Sequence, residues 1–260
     1  MDYGLAERNL RDMFRSLAMD RERGQVCELP GLTIAAAGTQ FQMFNTAFFN
    51  SPIVERADLE QRVELAAMTF RKRRLPWSLW VSEELIAPEL RRRLIRICER
   101  SRLYPGPEMP AMAAVRIDGP LPEPTKLKIK PVNDDASLAE FCRLGAECFR
   151  VPPDWFEEIY DGARRLAGPL RGWVGYLNGE AVATVATVAS DDVVGVYNLA
   201  TGVPFRKRGF GEAMSRHAVT ETFGVTGEKP IVLQSTTLGL RLYRRLGFQA
   251  VGRILVFPSR

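Results

Sequence analysis

The chain has no apolar run long enough to span a bilayer, and no charged-then-apolar leader opens it. Neither a membrane-spanning helix nor a secretory route is expected, so the expected compartment is the cytoplasm and no membrane partner is expected. Metal-ligating and redox groups are scarce. The four cysteines, Cys27, Cys98, Cys142 and Cys148, form no Cys-x-x-Cys pair. A zinc site or a disulfide framework is therefore not expected, and free thiols in a reducing compartment are. The single histidine, His217, falls within a helical pattern and reads as a packed or surface residue rather than a catalyst. No excess of one charge gathers in a tail: the net charge of +5 arises from 36 basic and 31 acidic residues spread over the chain. The clusters Arg71 to Arg74 and Arg91 to Arg93 lie in or beside helical patterns and read as solvated faces, so no nucleic-acid partner is expected. Two phosphate-binding fingerprints are also missing, the three-glycine dinucleotide motif and the Gly-Lys-Ser/Thr of the P-loop.

What is present is enough apolar sequence, 46% of 260 residues, for two folded domains. The first segment, up to about Arg23, is helix-compatible, with Leu5, Leu10, Phe14 and Leu17 loosely on one side. Extended segments follow over 24–38, broken by Pro30-Gly31, and over 41–53. A helix capped by Asp58 is predicted, carrying Leu59, Val63, Ala66, Ala67 and Phe70 at helical spacing and stopped by Pro76. A strand at Trp77–Val81, a helix from Ser82 with Leu90, Leu94, Ile97 and Cys98 as its buried stripe, and a strand at Met109–Ile117 complete a small α/β unit. Gly119-Pro120, Pro122 and Pro124 form the candidate domain boundary. Beyond it, an edge strand at Leu127–Pro131 leads to a helix capped by Asp134 or Asp135 and then a helix over Asp154–Leu166. Next comes a hairpin about Asn178-Gly179, whose positive φ requirement suits that dipeptide. A strand at Val193–Gly202, a helix from Phe210 stopped at Gly224, and strand, helix and strand to Phe257 follow. The domains are expected at 1–120 and 125–260.

The informative stretch runs from Leu199 to Ala213. A strand ends near Gly202, a helix begins near Gly211, and the turn between them is basic and contains glycine. Helix N-termini present unpaired N–H groups and partial positive charge, which suits a pyrophosphate. Gly209 and Gly211 permit close backbone approach, and Arg206 and Arg208 add charge-assisted bonds.

Here the sequence resembles the GNAT N-acetyltransferase superfamily. The resemblance rests on Arg206-x-x-Gly209-x-Gly211 after Val203 and Pro204, and on Leu242-Tyr243-Arg244-Arg245-Leu246-Gly247-Phe248 about thirty residues later. It covers roughly 125–260. It implies an α/β (α+β) fold whose mixed, mostly antiparallel sheet is flanked by helices. The N-terminal half is similar to the degenerate GNAT-like domain of some two-domain members, which would not bind CoA. The resemblance implies acetyl-CoA as co-substrate, bound by Leu199, Ala200, Thr201 and Val203 at the strand end. Arg206, Lys207, Arg208, Gly209, Phe210, Gly211 and Glu212 would bind it at the pyrophosphate loop, and Ser235 on the opposite wall. Tyr243 matches the tyrosine proposed in the family to protonate the departing thiolate.

There are departures from the family pattern. The strand Val193 to Asn198 carries no carboxylate to act as base; Asp191, Asp192, Glu157 and Glu158 are the nearest alternatives in sequence. Lys207 stands where the family often has glycine. The implied activity is acetyl transfer to a primary amine, of a small molecule first and of a protein lysine or N-terminus second, with a non-catalytic acyl-CoA sensor as the third reading. A monomer or homodimer is expected.

Overall fold

In a computed structural model of the chain, the described residues are 3–19, 21–119, 126–160, 166 and 168–260. The elements in chain order are α1 (Tyr3–Met19), β1 (Gln25–Leu29), β2 (Leu32–Ala36), β3 (Asn45–Phe49), α2 (Arg56–Arg73), β4 (Ser78–Ser82), α3 (Pro88–Arg100) and β5 (Glu108–Ala114). There follow β6 (Lys128–Pro131), α4 (Asp135–Phe149), α5 (Pro153–Ile159), β7 (Leu170–Leu177), β8 (Glu180–Ala189), β9 (Val194–Thr201), α6 (Phe210–Thr226), β10 (Ile231–Gln234), α7 (Leu240–Arg245) and β11 (Gln249–Pro258). The prolines at 120, 122 and 124 lie outside the described residues, as do 161–165 of the helix expected over 154–166.

The chain divides into two units, but not into 1–120 and 125–260. The first unit joins Met1–Leu10 to Met112–Gln249, and the second joins Arg11–Ala111 to Ala250–Arg260. Two physical reasons account for the difference. The last strand, β11, pairs antiparallel with β4 from Ile254↔Ser82 to Pro258↔Ser78, which ties the C-terminus to the second unit. The start of α1 is held by the first unit through Asn9, as described below.

In the first unit the strand order is β10-β9-β8-β7-β6, with Met112–Ala114 of β5 beside β10. β6, β7, β8 and β9 are antiparallel neighbours, and β9 and β10 are parallel. The β7–β8 hairpin turns at Asn178 (φ +52) and Gly179 (φ +89), the left-handed pair a two-residue turn requires. Helix α4 starts at the capping box of Asp134, whose carboxylate accepts from the Ser137 amide at 2.7 Å. Helix α6 passes through Gly224, which keeps a helical backbone, and stops at Gly227, whose positive φ of +73 ends the helix. Its core brings Met214 and Ala218 of α6 against Trp173, Val185 and Val196 of the sheet and Leu246 and Phe248 beyond α7.

The second unit has the order β1-β2-β3-β4-β11-β5. β1 to β3 are antiparallel, and β3 and β4 are parallel. The predicted stripes of α2 (Leu59, Val63, Ala66, Ala67, Phe70) and α3 (Leu90, Leu94, Ile97, Cys98) are the buried ones. Asp58 is not the cap of α2, since Glu55 holds that position without a side-chain bond, and the Asp58 carboxylate instead meets Arg62. The helix ends at Arg74, whose φ of +54 turns the chain before Pro76 is reached.

Asn9 is fully buried and ties α1 to the first unit's sheet. Its Nδ2 donates to the Val188 carbonyl at 3.2 Å and to Ser190 Oγ at 2.9 Å, while its Oδ1 accepts from Tyr197 Oη at 2.7 Å. Asn9→Ala leaves these groups without partners and should lower stability by about 1–3 kcal/mol, read from urea unfolding midpoints. The hydrogen bonds from Ser137, side chain first and backbone second, hold the Asp134 carboxyl below its ordinary 3.8. A depressed carboxyl stabilises above its unfolded value and loses that contribution as pH falls through its folded one. The Tm deficit of Asp134→Ala should therefore be full above pH 3.8 and narrow on further acidification.

Candidate active site

β9 and β10 are parallel neighbours for only two residue pairs, Ile231↔Val194 and Val232↔Gly195. Beyond them no further residue pair is registered, so Val196 to Thr201 of β9 and Leu233 to Gln234 of β10 stand on either side of a gap in the ladder. On its other side β9 slips against β8 between Thr184 and Ala186, where one extra β9 residue is accommodated. Asn198 sits in this bulge with φ +47, a left-handed conformation that asparagine tolerates better than most residues. Thr184 Oγ1 donates to the Asn198 carbonyl at 3.0 Å and braces the bulge. Both polar atoms of the Asn198 amide are buried and without a hydrogen-bond partner.

From this gap the chain leaves β9 through a single tight turn at Val203–Phe205 and enters α6. Two residues between them are left-handed, Lys207 (φ +63) and Gly209 (φ +79). The consequence is electrostatic. Among the described residues, no backbone N–H from Lys207 to Glu212 is donated to a protein acceptor, and the first that is belongs to Ala213, bonded to the Gly209 carbonyl at 3.0 Å. Such a run of unpaired amides at the positive end of a helix is an anion-binding concavity. Arg206, Lys207, Arg208 and Gly209 are exposed, and nothing lies within 4 Å of where a Gly209 Cβ would stand. Arg206 Nε donates to the Thr201 carbonyl at 3.0 Å, and the Arg208 guanidinium lies 5.6 Å from the Phe205 ring centre. Both arginines are thereby steadied at the turn.

The other expected site residues fall into place unevenly. Leu199 and Leu242 close on Gly211, where a Cβ would lie 3.2 Å from Leu242 Cδ2 and 3.9 Å from Leu199 Cδ2. Ala200 and Phe210 are buried, Thr201 is half-buried and Val203 is exposed. The Glu212 carboxylate is turned to Arg216 at 3.0 Å and Arg245 at 2.9 Å. Burial pushes its carboxyl up, but the bonds from Arg245 and Arg216 outweigh that and hold it below the usual range. Glu212 thus brings an N–H to the loop while its carboxylate ties α6 to α7. Ser235 is buried after β10 and its hydroxyl donates to the Thr236 carbonyl at 2.8 Å, which leaves it a turn residue in this arrangement.

Tyr243 belongs to the buried group that includes Val196, Phe210 and Leu233, with Phe248 edge-on at 5.6 Å. Burial raises its phenol above the ordinary value of 10, so the group is a neutral proton carrier at physiological pH. Of the alternative bases, Asp192 is paired with Arg8 at 2.9 Å, and Asp191 and Glu157 are exposed. His217 packs edge-on to Trp173, and burial lowers its pKa below the ordinary 6.5. It is a packed residue. Two neighbours carried no sequence signal. Cys148, at the end of α4, lies beside Arg206 and Thr201, where burial raises its thiol against the opposing pull of Arg206. The Asn9–Tyr197 bond spans 188 residues of sequence. Among the described residues there is no cluster of three metal-ligating side chains, and no helix is long and apolar enough to cross a membrane.

The φ of Lys207 also accounts for the glycine expected at its position, since a left-handed conformation costs an L-residue about 1–2 kcal/mol. Relief of that strain exceeds the entropy cost of glycine. Lys207→Gly should raise stability by up to about 1 kcal/mol in chemical denaturation.

Residues 138–248 match the model of the Acetyltransferase (GNAT) family. No curated protein matches the chain at a significant level. Among solved structures, a GCN5-related N-acetyltransferase from Kribbella flavida is similar with a TM-score of 0.71 and 16% identity, over 98% of this chain and 95% of that one. A GCN5-related N-acetyltransferase from Sphaerobacter thermophilus gives 0.60 and 15%, over 97% and 84%. A tandem GNAT protein from the clavulanic acid biosynthesis pathway gives 0.54 and 11%, over 98% and 94%. At these identities the likeness is one of fold, and it runs through both units of the chain.

Proposed function

We propose that this chain, which carries a GNAT acetyltransferase domain over residues 138–248, transfers an acetyl group from acetyl-CoA to a primary amine. The carrying observation is the run of unpaired amides from Lys207 to Glu212 at the mouth of the gap between β9 and β10. A pyrophosphate would accept from those amides, with Arg206 and Arg208 adding charge, and the open space at Gly209 lets phosphate oxygens reach the backbone. Leu199, Ala200, Thr201 and Val203 would lie along the pantetheine arm. Tyr243 is the proposed general acid.

The reaction then needs little covalent work from the protein. The amine nitrogen attacks the thioester carbonyl carbon, the carbon–sulfur bond breaks, and the thiolate takes the Tyr243 proton to leave as CoA thiol. Because β9 carries no carboxylate, the ammonium proton is released through water before attack, and the second nitrogen proton, shed as the amide forms, returns through water to the Tyr243 oxygen. The site works mainly by positioning the two reactants, with the phenol supplying a proton where negative charge develops. A small-molecule acceptor is the first reading, because the near-even charge of 36 basic and 31 acidic residues gives no sign of an acidic trench for a basic peptide. The missing strand carboxylate favours one other reading, an acyl-CoA sensor without turnover.

Calorimetric titration with acetyl-CoA tests the cofactor claim. Saturable binding that disappears in Arg206→Glu/Gly209→Asp is expected, and no binding to the intact protein would refute the proposal. Screens of small amines and of lysine peptides then separate the acceptor classes, and binding without turnover on either leaves the sensor. Tyr243→Phe should lower kcat by about 10²–10⁴-fold if the phenol is the acid. In the intact enzyme the fall from phenol ionisation should lie above pH 10, because burial raises that group. A mutant with unchanged kcat makes Tyr243 a packing residue.

A further inference from the structure

A cavity of about 340 Å³ in the second unit is lined by Arg56, Arg93, Arg96, Ile97 and Arg100. It shares no residue with the loop of the proposed acetyl-CoA site. Three of its arginines follow from α3 geometry, since residues 93, 96 and 100 fall on one helix face. Arg56 is the first residue of α2.

The partners of these arginines are few. Among the described residues Glu60 is the one carboxylate that serves them, meeting Arg56 at 2.8 Å and Arg100 at 3.4 Å. Arg93 and Arg96 have no hydrogen-bond or acidic partner among the described residues. Arg62 in the same unit shows what a structural arginine looks like here. It is largely buried and donates to Asp58, to the carbonyls of Gly31 and Ser51 and to Ser51 Oγ. Arg100 has a local explanation, because a cation in a last turn complements the helix dipole. Arg93 and Arg96 stand mid-helix and have none. Guanidiniums remain charged at any physiological pH, so four exposed ones with a single carboxylate among them leave a local excess of positive charge for an anion to meet.

We propose that this cavity binds a small polyphosphate anion, a pyrophosphate or the diphosphate of a nucleotide. Forked guanidinium donors match phosphate oxygens in pairs, and four of them exceed what one monoanion requires. The cavity is at the small end of ligand-site volumes, and its one apolar lining residue is Ile97. It offers no aromatic surface for stacked bases, which argues against a nucleic-acid strand.

The test uses full-length protein carrying Arg206→Glu/Gly209→Asp, so that the loop of α6 cannot take the anion. Calorimetry with inorganic pyrophosphate, ADP, orthophosphate and a short DNA duplex is run on this protein and on the same protein with Arg93→Gln/Arg96→Gln added. Circular dichroism and an unchanged urea midpoint confirm that the added exposed substitutions leave the fold intact. Pyrophosphate and ADP should bind at least tenfold tighter than orthophosphate, with affinity falling as salt is raised. The added pair should weaken both at least tenfold. No binding of pyrophosphate, binding unaffected by the pair, or a preference for the duplex would each overturn the proposal.

Discussion

The parting of β9 from β10 after two residue pairs is the constraint from which the rest of the first unit follows. Parallel strands normally continue their ladder until one ends, because an unpaired backbone amide in a protein interior is costly. Three residues past the last pair, β9 also slips against β8 at the bulge around Asn198, whose φ is +47. β9 then delivers the chain to a turn that must enter α6 almost at once. That abrupt entry, through Lys207 and Gly209, leaves six amides without protein acceptors. The end of the ladder and the anion cradle are thus neighbours along one short stretch of backbone, from Gly195 to Glu212. The unpartnered Asn198 amide at the bulge is a local cost of the kind that structures retain where function needs the geometry.

The two units repeat one scheme with different outcomes. In each, three antiparallel strands precede a helix that crosses to a fourth, parallel strand: β1-β2-β3, α2, β4 in one and β7-β8-β9, α6, β10 in the other. The crossing in the second unit has lost what makes the first a phosphate loop. Its turn, Asn50 to Glu55, contains no glycine, and its helix is entered from Glu55, an acid where an anion would sit. The groups that a ligand would have met are closed internally, with Arg62 bonded to Asp58 and to the carbonyls of Gly31 and Ser51. Side-chain chemistry, rather than topology, decides which of two similar crossings can cradle a pyrophosphate on backbone amides.

This also explains what could be read from the sequence. Helical stripes were legible because burial on one face imposes spacing locally, and Leu59 to Phe70 and Leu90 to Cys98 were found residue for residue. The Asn178-Gly179 turn was legible for a similar reason, since positive φ restricts residue choice at fixed positions, and it restricts Gly209 in the same way. The cap at Asp58 was misread because an acid near a helix start has two uses, and pairing with Arg62 four residues on competes with capping. The boundary of the units was not legible, since a strand's neighbours are chosen by long-range pairing. Nothing within Gln249–Pro258 says that it lies beside β4. Nor does the local sequence mark Asn198 as a bulge or Asn9 as the partner of a tyrosine 188 residues away.

That last contact bears on the absence of an acid from β9. Side chains alternate along a strand, so Gly195 and Tyr197 share a face. Asn9 enters against that face only because Gly195 has no side chain, since a Cβ there would overlap Asn9 Oδ1. Tyr197 then donates to the same oxygen. A carboxylate in place of Tyr197 would face Asn9 Oδ1 with no proton to give, and two acceptors in a buried contact repel. The docking of α1 thus selects against an acid at this point of the strand. Val194 and Val196, which face the other way, are buried among apolar neighbours where an ionised group would be costlier still. The absence of an acid from β9 and the docking of the N-terminal helix against Gly195 and Tyr197 are therefore linked.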